Sequence, residues 1–261
     1  MTHRIVAGAF VLALWTGAGS AALAEDGAAA PPAEAQKTTA ESAYDALEAE
    51  FAEARKAYAE ATRARPKGEP WPEGWKPPPR PESVFAARYL AAAVPFAGTS
   101  EAVPFLLKAA SLGRSYDKDA SRAAIEELVR AHAASPRLAD LTYTLIYGSY
   151  SHGEEFVRDA MTKIADANPD PAVGAAMLYA RGTLVNRRGA RDAAESAAAV
   201  ADLRRSIELA PGSRYAEMAA GNIFELENLQ VGMPAPEIEG ADVDAGGFRL
   251  SEDRGEAGMR D

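Results

Sequence analysis

Apolar residues recur along this chain at intervals of three and four, and proline and glycine repeatedly cut the runs that carry them. Tyr44, Leu47, Phe51, Ala54, Tyr58 and Ala61 fall on one stripe of a single helix. Thr38, Thr39 and Ser42 offer N-caps for it, and Pro66 ends it, so the pattern predicts a long amphipathic helix over residues 38–65. The stripe lasts under three heptads and two of its positions are alanine. Packing against the rest of the chain therefore suits it better than a coiled-coil seam.

Residues 82–229 repeat the pattern on a shorter scale. Alanine-rich segments of helical length alternate with breakers at Pro95 to Gly98, Gly113 to Asp117, Ser135-Pro136, Gly148 to Gly153, Asn168 to Pro171, Arg188-Gly189 and Pro211-Gly212. Within segments the period stays near 3.6: Phe156, Val157, Ala160, Met161 and Ile164 share one face, as do Val200, Leu203 and Ile207. About eight helices joined by short turns follow, with antiparallel neighbours. RRSIELAPGSRYAEMA resembles the end of one tetratricopeptide-type repeat and the start of the next, but no strict 34-residue period recurs. The expected fold is mainly α, an irregular antiparallel helical-hairpin (TPR-like) array. LTYTLIY, Leu141 to Tyr147, has the β-branched and aromatic content of a strand. Its flanks are helical and no partner strand is near, so it reads as helix.

Between the first helix and the array, residues 66–81 form a Pro/Trp-rich linker. Arg65 to Glu82 holds seven prolines, a density that excludes helix and central strand. Trp71 and Trp75 suit the pinning of this loop to the surface it crosses; the competing use is polyproline-like binding of a partner. At the other end of the scale of polarity, Ile5 to Trp15 is an apolar run behind Arg4, and Ala22-Leu23-Ala24 presents small residues for cleavage. Residues 1–24 read as a secretory signal cut before Glu25. The uncharged span Ile5 to Ala24 is also just long enough for an uncleaved anchor, though its second half is small rather than greasy. Residues 25–37, rich in alanine and proline, read as a disordered tether. The expected location is exported, periplasmic or otherwise extracytoplasmic.

Composition narrows the chemistry. The 261 residues contain no cysteine, which excludes disulfides, thiol catalysis and lipidation at a cysteine. The net charge of −10 becomes −11 without the signal, and no basic stripe offsets it. Nucleic acid and anionic lipid are poor partners for such a surface, and no membrane association is expected beyond an uncleaved signal. GSYSHG, Gly148 to Gly153, approaches a nucleophile elbow around Ser151, but Ser149 stands where the elbow needs glycine and no strand feeds it; a polar turn between helices explains it. His132 and His152 have no metal-ligand spacing. Asp242, Asp244 and Gly246, followed by Glu252 and by Asp253 in the twelfth position, only faintly resemble a calcium loop, and a Gly246-Gly247 hairpin turn accounts for the same letters. Charged side chains of the helices read as solvated surface. No catalytic, cofactor-binding or metal-binding residue is assigned, and no cofactor is expected.

Residues 230–261 differ in kind from the rest. NLQVGMPAPEIEGADVDAGGFRLSEDRG resembles the N-terminal edge of a thioredoxin-like redoxin, of the peroxiredoxin/TlpA-like family. The matching letters are Val231-Gly232, Ala235-Pro236-Glu237-Ile238, the turn around Asp244 to Gly247, and Phe248-Arg249-Leu250-Ser251 leading to Arg254-Gly255. AEMAAGNIFELENLQVG also resembles the helical region that some exported bacterial redoxins carry ahead of this domain. The similarity is tight over Ala216 to Gly255 and loose upstream. It implies an exported thiol-disulfide or antioxidant protein, with an apolar strand and a C-x-x-C site to follow. At Glu256 the resemblance stops, and only six residues remain. The expectation is a redoxin truncated before its active site and catalytically incompetent in this form, since the family's chemistry needs a low-pKa thiolate. Ile238, Val243, Phe248 and Leu250 would then form an incomplete β-hairpin, poorly ordered or loosely docked. Two other readings stand beside it: an exported helical-repeat module that binds another exported protein, and an enzyme with an unrecognised site among the helices.

Overall fold

The computed structural model describes residues 39–63, 74, 76–234, 236–241 and 247–249. The signal and tether segments, Thr38, Trp71 and Trp75, Asp242 to Gly246 and Leu250 to Asp261 lie outside the described residues. Those described are mainly helical: α1 (Thr39–Arg63), α2 (Pro81–Ala93), α3 (Val103–Tyr116), α4 (Lys118–Ala131), α5 (Thr142–His152), α6 (Glu154–Ala167), α7 (Pro171–Arg188), α8 (Ala193–Leu209) and α9 (Arg214–Asn228). Short 3-10 turns at Val94–Phe96, Ser100–Ala102 and Pro136–Leu141 join some of them. Between Pro81 and Asn228 the helices number eight, as the apolar period requires.

Local chemistry sets the starts. Asp117, Asp170, Asp192 and Ser213 each accept a hydrogen bond from a backbone N–H of the first turn of α4, α7, α8 and α9, satisfying one of the donors a helix start leaves free. Pro81 and Pro171 occupy first helical positions, where their missing N–H costs nothing. The linker therefore ends one residue earlier than its proline content suggested. Asn168 fastens the turn before α7 to the one after α4, donating from Nδ2 to the carbonyls of Ala133 at 2.7 Å and Ser135 at 2.9 Å.

Two of the expected breakers are helical. α3 runs through Gly113 to Tyr116, and α5 runs through Gly148 to His152, so the turn after α5 is Gly153 alone. Gly153 adopts φ 88°, which disfavours side chains. Gly113 serves packing: a Cβ there would lie 2.9 Å from the Ser121 backbone nitrogen, so its absence lets α4 cross α3 closely. LTYTLIY is helical, contributing the end of a 3-10 turn and the start of α5.

α1 lays its stripe on the array. Tyr44 packs edge-on to Phe105 with ring centroids 5.2 Å apart, and Phe51 meets Phe85 at 5.1 Å. The rest is layered. α3, α5, α7 and α9 pack on one another in that order, while α2, α4 and α6 form a second row against them. α7 is the most engaged element, touching α5, α6, α8 and α9 and the Pro136–Leu141 turn. Eleven of its residues are buried, from Val173 to Val185. One continuous apolar core runs from Ala40 to Leu226, with Tyr89, Phe105, Leu138, Leu145, Met161 and Met177 among the fully buried side chains.

After α9, β1 (Glu239–Ala241) and β2 (Gly247–Arg249) pair antiparallel, with Gly240 opposite Phe248. An exposed Glu239–Arg249 ion pair of 3.0 Å spans the ladder. Neither strand packs on a helix as neighbouring helices pack on each other, and Ile238 stays 57% exposed. It is a lightly supported hairpin.

Candidate functional site

The fold disposes of the elbow first. Ser149 lies within α5, its hydroxyl donating to the Ile146 carbonyl at 2.8 Å, and no strand leads into the segment. The alternative, a polar turn from Gly148 to Gly153, is also corrected: the segment is the last part of a helix. His152, at the end of α5, instead reaches α4. Its Nε2 lies 3.0 Å from Ser121 Oγ, which donates to the Ala110 carbonyl at 2.7 Å. With its one proton so committed, the hydroxyl accepts from the imidazole N–H. A general base would have to take that proton, so the pair is a strut and not a nucleophile. Burial lowers the His152 pKa, and the nearby Arg122, Lys118 and Arg114 charges add to the effect. His132 is buried, and its Nε2 has no hydrogen-bond partner among the described residues. No group of three acidic or histidine side chains among the described residues could hold a metal ion. Asp242, Asp244, Gly246, Glu252 and Asp253 lie outside them.

Charged side chains read as solvated surface turn out to join helices. Glu48 of α1 accepts from Tyr89 Oη at 2.5 Å and from Lys108 Nζ at 3.0 Å, tying α1 to α2 and α3. Burial by itself would raise the Glu48 pKa; the Lys108 and Tyr89 hydrogen bonds outweigh it and hold the carboxyl below its usual range. At the far end, Arg188 bridges Glu154 of α6 and Glu195 of α8, with Arg191 beside both. The Arg188 hydrogen bonds and the Arg191 backbone N–H, at 2.7 Å, bring the Glu195 pKa down to about 2. Arg181 of α7 grips Asp202 of α8 and donates to Thr162 of α6 at 3.1 Å. In each group the carboxylates already hold cations, which suits buttressing and leaves no free acid or base.

A different arrangement sits on α5. Tyr143, Tyr147 and Tyr150 recur at helical spacing on its outer face, 38%, 38% and 75% exposed. The first two rings stack at 6.4 Å. Two cations lie over Tyr147: Arg114 from α3, with Cζ 5.3 Å from the ring centroid, and Arg187 from α7, at 4.7 Å. Tyr143 Oη donates to Met218 Sδ of α9 at 3.5 Å. Arg114 and Arg187 form no ion pair among the described residues. By contrast Arg122, Arg130, Arg181, Arg188, Arg204 and Arg205 each hold a carboxylate at 3.0 Å or closer. A hollow of about 200 Å³ opens beside this face, lined by Ser149, Tyr150, Leu184 and Arg187 and by Glu154, whose carboxylate Arg188 already holds. Sequence reasoning missed the site; its signal was the Tyr143, Tyr147, Tyr150 spacing, of which the first two were read only for strand or helix propensity and the third only as part of a turn.

A cleft of about 660 Å³ between α4 and α6 is lined by Ile125, Val129, Phe156 and Ala160, with Asp159 and Lys163 paired at 2.7 Å on its rim. Its other charged lining residues are Glu126, paired with Arg122, Arg130, paired with Glu127, and Asp166, whereas the α5 face combines exposed rings with two guanidinium groups that hold no carboxylate among the described residues. The α5 face is thus the candidate site, a binding surface without acid–base machinery. No helix among the described residues is long and apolar enough to cross a membrane. Comparison with protein-family models, with curated proteins and with solved structures finds no match to this chain.

Proposed function

We propose that this chain is the helical part of an exported redoxin of thioredoxin-like ancestry, and that its 261 residues carry no redox catalysis themselves. One observation supports the reading above others. The array ends at Asn228, and after residues 229–238 the chain forms two short antiparallel strands, Glu239–Ala241 and Gly247–Arg249, the order of elements that the redoxin resemblance implies for residues 230–255. The family's thiol step has no counterpart here, because no cysteine is present to form the thiolate. The test is to sequence the gene beyond codon 261 and weigh the intact protein. An apolar strand followed by C-x-x-C, in any frame, is the expected result; its absence from all frames overturns the reading. Export is checked on the same material, by an N-terminal sequence starting at Glu25.

A second reading makes the array a protein-binding module of the exported space. The Tyr143–Tyr147–Tyr150 face with its two uncommitted arginines favours it. Capture of a partner by the folded monomer, lost on substitution of that face, is its expected outcome. Turnover that persists in the presence of thiol-blocking reagents would instead favour an enzyme with an unrecognised site.

A further inference from the structure

We infer that the α5 face binds an extended acidic segment of a partner protein, taking carboxylates at alternate residues on Arg114 and Arg187. The inference deepens the reading of the array as a binding module and does not depend on the redoxin resemblance.

Charge comes first. The chain carries a net charge of −10 and has an excess of carboxylates for its arginines, yet among the described residues these two pair with none, while Arg122, Arg181 and Arg188 each do. Both are held over one ring instead. A guanidinium held against an aromatic ring by cation–π attraction is restricted in position and keeps N–H groups with which to meet a carboxylate. Restriction of this kind reduces the ordering cost of the ligand contact. The arrangement also leaves rings available, since Tyr143 and Tyr150 remain exposed for aliphatic or proline side chains of the same ligand.

Distance limits the spacing. Both Cζ atoms lie within 5.3 Å of the Tyr147 centroid, so they are separated by no more than about twice that. An extended chain advances about 6–7 Å over two residues and turns both side chains to the same side. Acidic residues at i and i+2 of such a segment therefore reach one arginine each. Size then decides against a small molecule. The adjoining hollow of about 200 Å³ is below the roughly 300–1,000 Å³ of enclosed ligand sites and has room for a single side chain. A long polyanion such as nucleic acid meets the repulsion of the whole acidic molecule, while a short segment meets mainly the local field.

Fluorescence anisotropy on the full chain tests this, with labelled octapeptides in which leucine alternates with glutamate, glutamine or lysine, and with a single-stranded oligonucleotide. The glutamate peptide is expected to bind at least tenfold more tightly than the other three, and to weaken as salt rises. Arg114→Gln and Arg187→Gln should each weaken it roughly fivefold, and together more. Arg205→Gln, at an arginine already paired with Glu208, should not change it. Arg187→Glu should gain affinity for the lysine peptide, a result that loss of folding cannot give; circular dichroism confirms that each variant keeps its helices. Equal binding of the glutamate and glutamine peptides overturns the inference while leaving a binding module in place. So does unchanged binding by both arginine variants, or oligonucleotide binding as tight as the glutamate peptide's. If no peptide binds although a partner is captured from extracts, the inference falls and the module reading survives.

Discussion

Glu195 shows what a residue here does that its neighbours in sequence do not reveal. Its carboxylate accepts from Arg188, across the α7–α8 connection, and from the Arg191 backbone N–H, which brings its pKa down to about 2 from an ordinary 4.5. A depressed carboxyl contributes stability that is complete above the unfolded-state value and is lost as pH falls through the folded one. Glu195→Gln should therefore lower Tm near pH 6, and the gap to the parent chain should close as pH falls from about 4.5 to 2. Melting curves by circular dichroism across that window check it; a gap that persists at pH 2 would mean the carboxylate charge is irrelevant. The cluster was illegible in the sequence because Arg188 and Glu154 are 34 positions apart. Only pairs at i,i+3 and i,i+4, such as Arg130 with Glu127, can be read from spacing. The tyrosines of α5 were visible as letters, but the arginines that give them meaning come from α3 and α7.

Between elements, small residues decide how closely helices approach. Gly182 lies in α7 where α8 crosses it; a Cβ there would meet Leu203 Cγ at 2.5 Å and the Ala199 carbonyl at 3.0 Å. Gly182→Ala raises helix propensity by about 1 kcal/mol and so should stabilise an open helix. Overpacking at the crossing costs about 1–3 kcal/mol and is expected to win. Urea denaturation should show a lower midpoint with an unchanged slope. The same trade explains the misread breakers. Composition registers glycine as a place where helices stop, and that was right at Gly153, whose φ is positive. At Gly113 and Gly148 it was wrong, because both are buried within helices, and at Gly113 the missing side chain serves contact with Ser121 of the next helix. Number, order and approximate ends of the helices were legible because apolar period and capping chemistry are local. Which helices touch was not.

For the molecule as a whole, support is unevenly distributed. The helices share one core from Ala40 to Leu226, whereas the hairpin of β1 and β2 offers a short ladder and one surface ion pair. Two strands by themselves are marginal in water. Amide exchange should find the hairpin N–H groups unprotected within the dead time and those of α3, α5 and α7 slow; equal protection would show the hairpin to be integral to the fold. A further property follows from the position of α7. In a simple stack each repeat leans only on the next one, and end units can peel away singly. Here one buried helix is shared by α5, α6, α8 and α9. Losing any of these exposes part of α7's buried surface, so the second half of the array is expected to melt as a block, and Arg187 of α7 and Tyr147 of α5 keep their mutual placement until that block gives way.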